Sequence, residues 1–225
     1  MAHKEVMLAN PCHLDRNIEL TTPKEIQAWV GFNFPGRGDR YSTMKYHWHH
    51  FTGTDYNALD RKNAIYKIVG PGKDWAKDVS RENGNYDYLM FADLDYSHPE
   101  VREDVLKWCE WIGTELPLRG MRLDATKHYS SEFQKTLIDH VRRTVGRDWF
   151  MVSEFWSANI QELQKYLAQI EYKAHLFDAA LVNRLSAISR TKGGDLRLIF
   201  DRTLVKHRPE NAVVCLLQQR AVKSN

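Results

Sequence analysis

Gly120-Met121-Arg122-Leu123-Asp124-Ala125 and, further on, Met151-Val152-Ser153-Glu154-Phe155-Trp156 are two short apolar runs, each ending in an acid. The two acids stand thirty positions apart, about the length of one βα unit. Between the runs, Ser131 opens a helical stripe of Phe133, Leu137, Val141 and Val145, with Gly146 at a plausible C′ position. The alternation continues: Trp149 to Glu154 predicts a strand, Asn159 to Ile170 a helix, and Leu176 to Leu181 a strand with a helix after it. Repeated β-then-α units imply parallel strands with right-handed crossovers, so Asp124 and Glu154 are expected at the carboxyl ends of neighbouring strands. In an α/β barrel that end builds the active site.

Upstream, Ser97 and Pro99 open a further helical pattern through Val101, Val105, Trp108, Ile112 and Leu116. Before about residue 92 the pattern is irregular. Glycines punctuate aromatic runs such as Ala28-Trp29-Val30 and Tyr41 to His50, which predicts short strands and long loops. A closed (β/α)8 barrel needs roughly 250 residues, and only three to four βα units follow residue 97. The expected class is therefore α/β, a partial (β/α)8 TIM barrel over 97–213 with a β-rich inserted subdomain over 1–96.

Composition narrows the partners. A hydrophobic content of 43% with 27% charged residues is globular, and no apolar run approaches the ~18 residues of a membrane span. The net charge of +3 is too small and scattered to argue for nucleic acid or an anionic membrane. Arg37, Arg40, Arg61, Lys62 and Lys67 are interleaved with Asp39, Asp55 and Asp60, which reads as a solvated face. Three cysteines without CxxC spacing read as reduced thiols, and the first ten residues carry no signal-like apolar region. With no Asn-x-Ser/Thr sequon, the expected location is cytoplasmic.

Arg122 lies two residues before Asp124, on the same side of a strand, where its guanidinium would keep Asp124 ionised. Phe155 and Trp156 flank Glu154 and would favour its protonated form by excluding water. One ionised and one protonated carboxyl is the arrangement glycoside hydrolysis requires. The pattern alone fits equally well a structural Arg122–Asp124 ion pair and a helix-capping Glu154. In Tyr46-His47-Trp48-His49-His50, His47 and His49 would share one face of a strand. Without a third ligand at helical or hairpin spacing, a sugar groove is the better reading than a transition-metal site.

Three separated segments resemble the α-amylase family of retaining glycoside hydrolases, in its liquefying bacterial and fungal intracellular branch. They are Trp29-Val30-Gly31-Phe32-Asn33-Phe34-Pro35-Gly36-Arg37-Gly38; Glu82 to Asp95 running into His98-Pro99-Glu100-Val101; and Gly120 to His128 followed by Ser153-Glu154-Phe155-Trp156. The resemblance runs from about Ile26 to Val213. It implies that Asp124 is the nucleophile, Glu154 the general acid and then base, and that Arg122, Lys127, His128 and Trp156 contact an α-glucan substrate. It also implies a structural Ca²⁺ held by Asp87, Asp93 and the His128 carbonyl. The family's further metal carboxylates fall at Thr52 and Ala76 here, so one calcium is expected rather than a multi-metal cluster.

The family pattern also implies roughly a hundred preceding residues with the first barrel strands. After Val213 it implies a segment bearing a third catalytic acid, where this sequence instead reads an unrelated tail over 214–225 without any acid. The implied activity is hydrolysis of internal α-1,4-glucosidic bonds, feeble in this chain. The alternative is a catalytically inactive glucan-binding or regulatory remnant.

Overall fold

The computed structural model describes residues 1–12, 19–81, 87 and 90–214. The expectations on 82–86 and on the tail from 215 onward, Cys215 included, therefore lie outside the described residues. By contact density the chain forms two units, Met1–Arg119 with Thr126–Trp149, and Gly120–Ala125 with Phe150–Asn225.

The first unit is built on an antiparallel sheet of β1 (Ala2–Pro11), β2 (Lys24–Phe32), β3 (Phe51–Asn57), β4 (Lys62–Ile68) and β5 (Asp93–Leu94), in the order β2-β1-β4-β3-β5. Alternation fixes its faces: Met7, Ala9, Ile26, Ala28, Val30, Tyr66 and Ile68 are buried, while Val6, Leu8 and Trp29 point outward. The strands are longer than the glycine-rich sequence predicts. Tyr41 to His50, by contrast, is mostly loop, bridging to Phe32 through Tyr46 and ending in a 3-10 turn over Trp48–His50. His47 and His49 therefore share no strand face.

Two helices belong to this unit, α1 (Pro99–Glu115) and α2 (Ser131–Thr144). α1 lies where the sequence predicts it, but His98 rather than Ser97 is its N-cap. Its buried positions are Val101, Asp104, Cys109 and Gly113, not the line through Trp108 and Leu116. Small residues on that stripe let the helices approach closely: a Cβ on Gly113 would stand 2.9 Å from Val145 Cγ1. α2 buries Phe133, Leu137, Ile138 and Val141, and Ser130 caps it by accepting the Phe133 N–H at 3.1 Å. Cys12 and Cys109 are buried free thiols, and burial pushes Cys109 up to about 12.

Arg37 is not on a solvated face. Its side chain is 8% exposed, stands 3.4 Å from Asp104 and stacks over Phe34 and Tyr41. Lys67 is likewise drawn into pairs with Glu19 and Asp74. Proximity of acids in space, invisible in the linear charge pattern, decides both.

The second unit contains a parallel sheet of β6 (Gly120–Leu123), β7 (Phe150–Ser153), β8 (His175–Phe177) and β9 (Ala212–Val213), in sequence order. α3 (Ile160–Gln169) follows β7, and α4 (Ala179–Arg190) and α5 (Leu204–His207) separate β8 from β9. With α2 between β6 and β7 in the chain, this is part of a (β/α)8 TIM barrel, and the chain also carries a β-rich subdomain, the expected class. The apolar run Leu176 to Leu181 is not one strand, because Asp178 ends β8 and starts α4. No helix among the described residues is long and apolar enough to cross a membrane.

Candidate active site

β6 and β7 pair in parallel register, Gly120 with Phe150 through Leu123 with Ser153. The next residues, Asp124 and Glu154, therefore stand side by side where the two strands leave the sheet. The ladder extends one step further, the Glu154 N–H donating to the Leu123 carbonyl at 2.8 Å. Burial of Leu123, Met151, Val152 and Ser153 anchors the strands, and the acids begin where that burial stops. The Asp124 side chain is 71% exposed and that of Glu154 29%. Ala125 turns the chain with φ of 49°, a left-handed conformation that costs an L-residue roughly 1–2 kcal/mol. The strain places the Ala125 N–H 3.4 Å from Glu154 Oε2.

Arg122 links the acids. Its Nη2 donates to Asp124 Oδ1 at 2.7 Å and to Glu154 Oε2 at 2.9 Å, with the guanidinium 5.9 Å from the Phe177 ring centre. The sequence pairs Arg122 with Asp124 alone; the parallel register brings Glu154 to the same cation. Phe155 does not shield Glu154 as expected. It turns into the interior, 7% exposed, and stacks on Tyr166 at 4.6 Å. Trp156 is half-buried. Glu154 caps no helix, since Asn159 is the N-cap of α3 and accepts the Gln161 N–H at 2.9 Å.

A third acid ends a strand of the same sheet, and the sequence gives it no separate role. Asp178 is 1% exposed; its Oδ1 accepts the Leu181 N–H at 2.9 Å and its Oδ2 the Val205 N–H at 2.8 Å. Both oxygens are committed to backbone, which makes Asp178 a structural clamp between α4 and α5.

The remaining predicted residues lie in the first unit. Lys127 and His128 are half-buried in the loop after Thr126, and the Lys127 carbonyl accepts the Ser80 N–H at 3.1 Å. Asp78 supports the same loop by accepting from Ser130, Ser131 and the Glu132 N–H. Asp87 is 4% exposed, and its Oδ2 accepts the Ala76 N–H at 2.7 Å; Thr52 Oγ1 donates to Asp93. Burial, aided by the charges of Asp78, Asp95 and Asp74, pushes Asp87 up to about 7. Burial and the charge of Asp87 push Asp93 well above the usual carboxylate range. Two mutually repelling carboxylates with an oxygen-only donor set fit a hard cation such as Ca²⁺. Thr52 and Ala76, where the resemblance places further metal carboxylates, instead donate hydrogen bonds to these two acids.

The histidines form a separate group. His49, His50, His98 and Glu100 offer ligand atoms all within 4.8 Å of one another, as do His3, Glu5 and His47. Burial, reinforced by neighbouring imidazoles, holds His49 below the ordinary histidine range; burial also lowers His50, against its hydrogen bond to Glu100. Short-range spacing finds only His47 and His49, because His3, Glu5, His98 and Glu100 arrive from β1 and the start of α1. An aromatic cavity of about 650 Å³ lies elsewhere in this unit, walled by Trp29, Phe34, Tyr41, Phe91 and Trp108.

No family model matches the chain. The α-amylase of Bacillus licheniformis is 42% identical to it over 200 residues, 88% of this chain and 39% of that protein. The cytoplasmic α-amylase of Escherichia coli K12 is 35% identical over 192 residues, 84% of this chain and again 39% of that protein. A crystal structure of the α-amylase of Geobacillus thermoleovorans in complex with acarbose superposes with a TM-score of 0.50 at 23% identity, covering 62% of this chain and 30% of that one, a likeness of fold. The chain spans about two-fifths of the length of the curated relatives it matches. Over nearly nine-tenths of its residues this chain is similar in sequence to α-amylases.

Proposed function

We propose that this chain carries the acid pair of an α-amylase-type hydrolase that cleaves internal α-1,4-glucosidic bonds of starch or glycogen with retention. The observation that carries the reading is the in-register pairing of β6 with β7, which sets Asp124 beside Glu154. Adjacent strands lie about 4.8 Å apart, a spacing that suits the ~5–5.5 Å carboxyl separation of retaining enzymes rather than the ~6.5–9.5 Å of inverting ones. Asp124 attacks the anomeric carbon as the bond to the leaving glucan breaks, and Glu154 gives its proton to that glucan's oxygen. Glu154 then takes a proton from water, the water oxygen attacks the same carbon, and the ester to Asp124 is released.

Arg122 holds the nucleophile in line, and its second contact fixes Glu154 between turns of proton transfer. Lys127, His128 and Trp156 would contact the glucan. Asp87, Asp93 and the His128 carbonyl would hold one Ca²⁺, whose chemistry is to neutralise the buried acids and brace the loop rather than to act on the sugar. Residues 1–96 are read as the inserted subdomain and 97–213 as barrel. The cytoplasmic relative supports a cytoplasmic location, and neither nucleic acid nor a membrane is a proposed partner.

Reducing-end release from soluble starch with calcium present tests the reading against Asp124→Asn and Glu154→Gln. The expected result is activity that both substitutions abolish; activity that survives either one overturns it. The aromatic cavity supports a second reading, a glucan-binding remnant, which an inert, folded chain retarded by starch in affinity electrophoresis would favour.

A further inference from the structure

We propose that His49, His98 and Glu100 form a site for one transition-metal ion of the zinc class, with His50 as the hydrogen-bonded support of Glu100. The site lies between the 3-10 turn Trp48–His50 and the first turn of α1, which His98 caps and Glu100 enters. Ring centres stand 4.1 Å apart for His49 and His50, 4.8 Å for His50 and His98, and 5.8 Å for His49 and His98.

Hydrogen bonding sorts the roles. His50 Nδ1 accepts the His47 N–H at 2.9 Å, so the neutral ring carries its proton on Nε2, 3.2 Å from Glu100 Oε2. That nitrogen donates to the carboxylate and has no lone pair for a metal, which is the place of an outer partner that orients a ligand. His98 Nδ1 is buried with no hydrogen-bond partner among the described residues. An orphaned buried nitrogen calls for an occupant. The adjacent His3–Glu5–His47 group shows the contrast. Glu5 Oε1 meets both imidazoles, at 3.0 and 2.7 Å, and its Oε2 accepts the Trp48 N–H at 2.8 Å, so hydrogen bonds already account for it.

Two imidazoles and a carboxylate suit Zn²⁺ with a fourth position open to water, whereas Ca²⁺ takes oxygen donors only. The site is thus chemically distinct from Asp87 and Asp93. His49 and His98 line a cavity of about 280 Å³ through which an ion can enter. Lys73 borders that cavity and would repel a cation, but its charge is matched by Asp95 at 2.8 Å. The positive end of α1 weighs against a cation as well, and the Glu100 carboxylate offsets it.

The test is calorimetric titration of the whole chain, stripped with a chelator, with Zn²⁺ in the presence of excess Ca²⁺, and with Co²⁺ as a spectroscopic probe. One equivalent is expected to bind, with the visible bands of low-coordinate Co²⁺. His49→Gln and Glu100→Gln should each weaken binding by about 100-fold or more, beyond what loss of an outer partner costs, while His3→Gln leaves it unchanged. Neither position is buried, and circular dichroism confirms that each variant is folded. Absence of saturable binding to the folded chain, or binding that both substitutions spare, overturns the proposal.

Discussion

Replacing Lys73 by Met should destabilise the chain by about 3 kcal/mol, through the acid it leaves behind. The Lys73 and Asp95 side chains are each 6% exposed and stand 2.8 Å apart. Met keeps the apolar stem and removes the ammonium. Breaking a buried ion pair from one side costs roughly 3–5 kcal/mol, and the lower end applies because Asp95 still accepts the Ser97 N–H at 3.0 Å and the Ser97 hydroxyl. Burial alone would raise Asp95, yet the Lys73 and Ser97 hydrogen bonds hold it below the usual carboxylate range. A carboxylate depressed in this way stabilises the fold above its unfolded value, near 4, and that contribution is lost as pH falls. In Lys73→Met burial is opposed by Ser97 alone, so Asp95 takes up its proton at higher pH. The deficit is therefore largest at neutral pH and narrows on acidification. Adding Asp95→Asn should recover most of the loss. Urea unfolding followed by circular dichroism at pH 7 and pH 5 measures it. A deficit below about 1 kcal/mol at pH 7, or one that grows on acidification, would refute the reasoning.

Asp178→Ala should cost about 2–4 kcal/mol, one part for the lost cap of α4 and one for the stranded Val205 N–H, read as a lowered unfolding midpoint. Arg122→Met should change stability by less than about 1 kcal/mol, since Arg122 is half-exposed and Asp124 71% exposed, while starch hydrolysis falls about 100-fold or more; equal losses of fold and rate would contradict this. Without calcium, the raised Asp87 and Asp93 bind protons more tightly folded than unfolded, so stability should fall as pH rises from about 4 to 7, opposite in sign to Asp95. Added calcium should close that gap, and Asp87→Asn should abolish the calcium effect on the melting temperature.

The parallel sheet is legible because β6, β7 and β8 are short, largely apolar runs each followed by an acid, and because the Asp124 to Glu154 interval matches one βα unit. The same apolarity misled at Leu176 to Leu181, where a buried Asp178 starts a helix inside what reads as one strand. The stripe of α1 is hard to read because its buried positions include the small residues Cys109 and Gly113, and Gly113 rather than a large apolar residue meets Val145 at the end of α2. Arg122 was legible as a partner of Asp124 from two-residue spacing, but its bond to Glu154 depends on cross-strand register, which no local pattern encodes. Arg37–Asp104, Lys73–Asp95 and the His49–His98–Glu100 group all join residues far apart in sequence, so only the fold discloses them.

The most direct test of the central claim, that Asp124 and Glu154 are nucleophile and acid/base, is to find where a slow α-glucosyl fluoride substrate leaves its sugar. A 5-fluoro-α-glucosyl fluoride needs no proton to lose fluoride, so in Glu154→Gln the ester forms and then persists. Peptide mass spectrometry should place the glucosyl group on Asp124, with no labelling once Asp124→Asn is added. Label on any other residue, or a folded Glu154→Gln chain that takes none, would contradict the account.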